Sequence, residues 1–142
     1  MVNEIEDFFE RENINYKKYI FCKQMISSES ISRAMSVDKD QILKTYLFKN
    51  DEDKFFGVIF SGQKTLNMEE IKVKLDEDYL AKVNIDFLSP ISLINKKINT
   101  IYDKNILGHD IVNIVSDCNT LCYELATKEL FRILSKILVG EL

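Results

Sequence analysis

The sequence predicts an α/β (α+β) fold, a single domain over residues 1–142 in which helices flank a mostly antiparallel or mixed sheet. Three observations carry this prediction. Segments with apolar residues three and four apart follow capping residues, as amphipathic helices do. Between them lie runs rich in Tyr, Phe, Ile and Val, the composition of strands, with polar turns separating the two kinds. A chain of 142 residues has the length of one domain, can bury well over half of its unfolded surface, and contains no internal repeat.

Asn3 is placed to cap a first helix running to about Asn13, with acidic residues in its first turn and Ile5, Phe8 and Phe9 on one stripe. Tyr16 to Cys22 reads as a strand offering Tyr19 and Phe21 to one face. Ser27 or Ser28 caps a short helix bearing Ile31, Ala34 and Met35, which Ser36, Val37 and Asp38 end. Gln41 to Phe48 is the central strand, an apolar run with one cation, Lys44, near its start. Asn50 to Asp53 is a polar turn, and Lys54 to Ser61 is an almost continuous apolar strand, expected to be buried on both faces. Such a turn makes a hairpin, which sets Lys44 near the far end of its neighbour, close to Ser61, Gly62, Gln63 and Lys64.

Asn67 caps a helix through Leu75, and residues 76–88 read as a short helix and a strand. Pro90, the only proline, interrupts that stretch and pushes Ser89 to extended backbone, so residues 86–90 are expected to form a shaped loop between elements. Ile98 to Tyr102 is a strand, Asp103 to His109 a turn or single helical turn, and Ile111 to Val115 another strand. Asp117 to Thr120 forms a turn, and Thr120 to Leu125 continues as a strand. Thr127 caps a final helix carrying Leu130, Phe131, Leu134, Ile137 and Leu138.

Charge and composition exclude several functions. A net charge of −4 argues against coating long nucleic acid, which needs a basic face, but allows lysines gathered at one mouth to grip an RNA end. No apolar run reaches the roughly 18 to 20 residues that cross a bilayer, and the acidic start, Met1 to Asp7, is unlike a secretory signal; a cytoplasmic protein with no membrane partner is expected. The three cysteines, Cys22, Cys118 and Cys122, are expected to be reduced thiols. No zinc-type spacing, phosphate-loop glycine pattern or carboxylate cluster is present, so neither metal nor cofactor is expected. The single histidine, His109, sits in a surface turn without a visible catalytic partner. The oddity left over is Lys44, an ammonium at the start of an apolar strand that either snorkels to water or meets an anion.

Ile42-Leu43-Lys44-Thr45, and Ser61-Gly62-Gln63-Lys64-Thr65-Leu66 ahead of a helix, resemble the front half of the YbaK/ProX aminoacyl-tRNA deacylases. Ser89-Pro90-Ile91-Ser92-Leu93-Ile94, the run from Ile98 to Leu107, and Asn119-Thr120 with Glu124-Leu125 are similar to the branch called prolyl-tRNA-synthetase-associated domains. The resemblance spans nearly the whole chain. It implies a twisted six- to seven-stranded mixed sheet and a free-standing editing enzyme, acting on the acceptor end of an aminoacyl-tRNA and working beside a prolyl-tRNA synthetase. The matching lysine is associated with the phosphate of the terminal adenosine, water aided by the ribose hydroxyl attacks the ester, and backbone amides orient the carbonyl.

On that resemblance, Lys44, Asp86, Ser89 and Pro90 are the candidate catalytic residues, and Thr45, Ser61, Gly62, Lys64, Val115, Asn119 and Thr120 the candidate substrate-binding ones. The chain also departs from its relatives. Asp86 stands where the family loop has glycine, and Val115 and Ser116 where the prolyl-associated branch has His-Pro. Two readings follow: a hydrolase clearing a small or thiol-bearing amino acid from proline tRNA, or a catalytically degenerate module that binds a tRNA end, an amino acid or a synthetase.

Overall fold

The computed structural model describes residues 4–21, 27–85, 88–115 and 121–142. Eight strands form one mixed sheet: β1 Lys17–Ile20, β2 Ile42–Lys49, β3 Phe55–Ser61, β4 Ala81–Val83, β5 Asn99–Tyr102, β6 Ile111–Val115, β7 Leu121–Ala126 and β8 Leu138–Glu141. Seven follow the order β1-β7-β6-β2-β3-β5-β8, and the short β4 adds to β2. Among the described residues the α-helices are α1 Glu4–Arg11, α2 Ser28–Met35, α3 Met68–Leu75, α4 Pro90–Asn95 and α5 Thr127–Leu134.

Strand alternation sorts the core into two layers. Leu43 and Leu47 of β2, Ile59 of β3, and Val112 and Ile114 of β6 point to one face, where they pack with Phe8 and Phe9 of α1, Ile91 of α4 and Leu130 of α5. Phe48, Phe56, Val58 and Phe60 point to the other, beneath Ile71 of α3. Ile42 and Cys122 share that second face under Ile31 of α2. Apolar residues on consecutive positions of β3 therefore serve two cores, which is why six of its seven residues are buried.

Local chemistry places the helices. Ser27 accepts a hydrogen bond from Ser30 N–H at the start of α2, and Asn67 accepts from Glu69 and Glu70 N–H at the start of α3. Asn13, at φ 57°, adopts the left-handed conformation beyond α1, and Ile14 N–H returns to the Phe9 carbonyl.

The structure corrects four expectations. Pro90 opens a helix instead of interrupting a loop, because its fixed φ suits the first helical position and Ser89 caps it. No helix follows α3 between residues 76 and 85: Asp76 ends α3 in the left-handed conformation, and only β4 forms. Thr127 is the first residue of α5, not its cap, and its hydroxyl donates to the His109 carbonyl. The last helix stops at Leu134, although Ile137 and Leu138 continue its spacing. Thr100 N–H donates to the Ile137 carbonyl, and Leu138 to Glu141 pairs parallel to β5, so the open edge of β5 outcompetes another helical turn. This last strand raises the count from the expected six or seven to eight. The cap at Asn3 and the turn at 117–120 lie outside the described residues.

Candidate functional site

The site is built by a change of partner along one edge of β2. Over its whole length one edge pairs antiparallel with β3, from Leu43↔Ser61 to Lys49↔Phe55. On the other edge, Ile42 and Leu43 pair parallel to β6, while Leu47, Phe48 and Lys49 pair antiparallel to β4. Lys44, Thr45 and Tyr46 fall between the two partners, so the sheet opens a notch at that point. Crevices where a sheet's connections diverge are where open α/β sheets bind ligands.

A cleft of about 360 Å³ occupies the notch, lined by Thr45, Tyr46 and Leu47 of β2, the chain from Lys82 to Ile85, and Leu88. Its size is that of a small-molecule site. The hairpin brings Lys44 opposite Phe60 and one register step from Ser61, as its length requires. Lys44 is half-buried and makes no ion pair with the described residues.

A row of side chains crosses the sheet at the level of Lys44. Tyr19 pairs with Cys122 and Cys122 with Val115; Val115 follows the Leu43↔Ile114 pair and so stands beside Lys44, which pairs with Phe60. Paired positions share a face. Val115, half-buried, packs with Ile42 and Cys122 under α2. Next to it, Asn113 is fully buried with neither side-chain polar atom in a hydrogen bond of good geometry; its amide lies against the Cys122 thiol. Burial outweighs that amide and pushes the thiol up to about 12, with Glu124 adding to the rise, so Cys122 is no nucleophile.

The loop entering α4 has its polar groups engaged. Ser89 is 1% exposed; its hydroxyl accepts from Ser92 N–H at 3.3 Å, and its own N–H reaches Ser92 Oγ at 3.4 Å. Pro90 has no N–H and is buried. Both therefore hold the turn that carries Leu88 to the cleft. Ser61, also buried, donates its N–H to Asp103 Oδ2 at 3.3 Å, and its carbonyl accepts from Lys64 N–H at 3.1 Å, closing a turn through Gly62. Asp103 is fully buried, and Asn105 N–H donates to its other oxygen at 3.0 Å.

The fold thus sets Lys44 and Val115 side by side on the face under α2, with Ser61, Gly62 and Lys64 at the adjoining end of β3, while Thr45 and Leu88 line the cleft, which Lys44 itself does not line. Asp86, Asn119 and Thr120 lie outside the described residues. His109 stands apart, its Nε2 4.0 Å from Asp40. Among the described residues, no three His, Cys, Asp or Glu side chains gather as a metal would require, and no helix is long and apolar enough to cross a membrane.

Sequence reasoning missed Tyr46 and Asp103 as neighbours of the site. Lys82 Nζ sits 3.7 Å from the Tyr46 ring centroid, a contact set by the β2–β4 register. Asp103 was legible only as a turn residue, since nothing in its neighbours marks it as a buried acceptor.

A sequence profile described as an aminoacyl-tRNA editing domain matches residues 22–133. Among solved structures, the hypothetical protein APE2540 is 15% identical and superposes with a TM-score of 0.83, over 97% of this chain and 97% of its own. A protein from work on computational epitope grafting onto scaffolds is 13% identical, with a TM-score of 0.82 over 96% and 94%. A candidate trans-editing enzyme for prolyl tRNA synthetase is 13% identical, with a TM-score of 0.78 over 96% and 93%. At these identities the likeness is one of fold. No curated protein matches the chain.

Proposed function

This chain belongs to the aminoacyl-tRNA editing domain family, and on that premise we propose that it deacylates a mischarged aminoacyl-tRNA at the notch in β2. The observation that carries the reading is the half-buried Lys44, without an ion-pair partner among the described residues, next in the strand to Thr45 and Tyr46, which line a cleft large enough for a small ligand. An ammonium in that position offers a point charge to the phosphate of the terminal adenosine. Thr45 and Leu88 line the same cleft, which supports a reading in which the ester lies between the strand and the turn into α4. Water then attacks the ester carbonyl, the bond to the ribose oxygen breaks, and free amino acid and tRNA leave; the ribose hydroxyl helps to take and return the proton. With the ester already activated, position and oriented dipoles supply most of the acceleration, and no side-chain nucleophile is needed.

In this reading the amino acid cleared is small or thiol-bearing and the tRNA is that for proline; the choice of proline tRNA is supported by the structural likeness to the candidate trans-editing enzyme for prolyl tRNA synthetase. Cytoplasmic action beside that synthetase follows from the same reading. Two observations favour a second reading, a degenerate module that binds without hydrolysing: Val115 presents an apolar side chain beside Lys44, and the polar groups of Ser89 are used in its own cap.

Single-turnover release from proline tRNA charged with alanine, cysteine, serine or proline separates the two. Hydrolysis of one species is expected, with Lys44→Ala slowing it about tenfold or more, the effect of losing a charge-assisted contact of roughly 1.5–3 kcal/mol. No release at enzyme excess from a folded protein would leave the binding module as the better description, and an unchanged rate in Lys44→Ala would remove Lys44 from the site.

A further inference from the structure

We propose that Tyr46 and Lys82 form a second nucleotide subsite at the lip of the cleft, where Lys82 takes the phosphate preceding that of the terminal adenosine. The proposal rests on the editing reading above and extends it from one nucleotide to the single-stranded end. Lys82 lies opposite Phe48 in the β2–β4 pairing, and its ammonium leans back over the Tyr46 ring at 3.7 Å. Tyr46 is itself fixed, edge-on to Phe60 at 4.8 Å and to Phe48 at 6.4 Å. Lys44 precedes Tyr46 by two residues on the same face, about 7 Å along the strand. Two cations therefore flank one ring beside a cleft of nucleotide size, the combination of charge and aromatic surface with which proteins hold single-stranded nucleic acid.

The charge of Lys82 is also uncommitted. Lys18, Lys49 and Lys72 are paired with Glu6, Asp53 and Glu69, whereas Lys82 has no carboxylate within 4.0 Å among the described residues. A ring fixes the ammonium without neutralising it, which leaves its donors for an anion. Other lysines are unpaired as well; what distinguishes Lys82 is that its ammonium is held over a ring that lines the cleft.

The test is binding of uncharged ligands, so it does not depend on hydrolysis. Affinities of adenosine 5′-monophosphate and of the trinucleotide CCA are compared for wild type, Lys82→Ala and Lys82→Arg, across salt. Wild type is expected to gain affinity with length; Lys82→Ala loses about tenfold of that gain, and its salt slope on the trinucleotide falls by about 0.7, one phosphate on a single strand. Lys82→Arg restores both, which a merely structural role of the side chain would not. Equal gains in wild type and Lys82→Ala overturn the subsite while leaving hydrolysis at Lys44 intact. Absence of trinucleotide binding by folded wild type, with a synthetase bound instead, overturns the subsite together with the RNA reading.

Discussion

Asp103→Ala is expected to destabilise the protein by about 2–4 kcal/mol and to loosen the site through the β3 end. The carboxylate is fully buried and accepts from Ser61 N–H at 3.3 Å and Asn105 N–H at 3.0 Å. Ser61 is 3% exposed, so its amide cannot turn to water, and a hydrogen bond to a charged acceptor is worth about 1.5–3 kcal/mol. Asn105 is exposed, so its amide recovers water and adds only about 0.5–1 kcal/mol. With a urea dependence near 2 kcal/mol/M, the unfolding midpoint should fall by about 1–2 M. Asp103→Asn should lie between the two proteins, because its one carbonyl can satisfy only one amide while its NH₂ faces the other. Ser61 pairs with Leu43, the residue before Lys44, so both variants should slow deacylation beyond what their folded fraction explains. A loss of less than about 1 kcal/mol in Asp103→Ala would refute this account of how the turn at Gly62 is held.

Glu6 supports a pH-dependent stability. Burial would raise its pKa, but hydrogen bonds from Tyr123 and Lys18 and the Lys18 charge outweigh it and hold the carboxyl below 4.5. A lowered pKa stabilises above the unfolded value and is lost as pH falls from about 4.5 through the lower folded value. Tyr123→Phe, which removes a 2.7 Å bond to Glu6, should cost about 1–2 kcal/mol at pH 7 in denaturant titration, and the gap between the two proteins should narrow at acid pH. Gly57→Ala should cost about 1–3 kcal/mol by the same assay, since an added Cβ would lie 2.6 Å from a Leu93 methyl and 2.7 Å from Thr100 Oγ1. Cys122, fully buried with its thiol pushed up to about 12, should stay unalkylated by iodoacetamide at pH 8 until the protein is unfolded, as peptide mass mapping would read.

Much of this molecule is local and was therefore legible in its sequence. Ser27 and Asn67 cap their helices because side-chain oxygens satisfy amides two or three residues on. The hairpin of β2 and β3 follows from two apolar runs and a polar turn, and its length alone sets Lys44 against the end of β3. The order of weak motifs sufficed for the family. The site itself was legible as a lysine near a loop, and no further.

What only the tertiary structure decided concerns partners distant in sequence. Whether residues 137–141 extend a helix or become an edge strand depends on the unpaired backbone of β5, nearly forty residues earlier, which no helical spacing records. The notch exists because β6 and β4 claim different ends of the same edge of β2. That choice also carries Lys82 to Tyr46 and makes Asp103 the buried acceptor for Ser61. A residue's own neighbours set its preferences for helix, strand and turn, because those are short-range hydrogen bonds and sterics. Which backbone edge stays open and which charge stays unpaired are decided by long-range competition for the same donors and acceptors, settled only when the sheet is assembled.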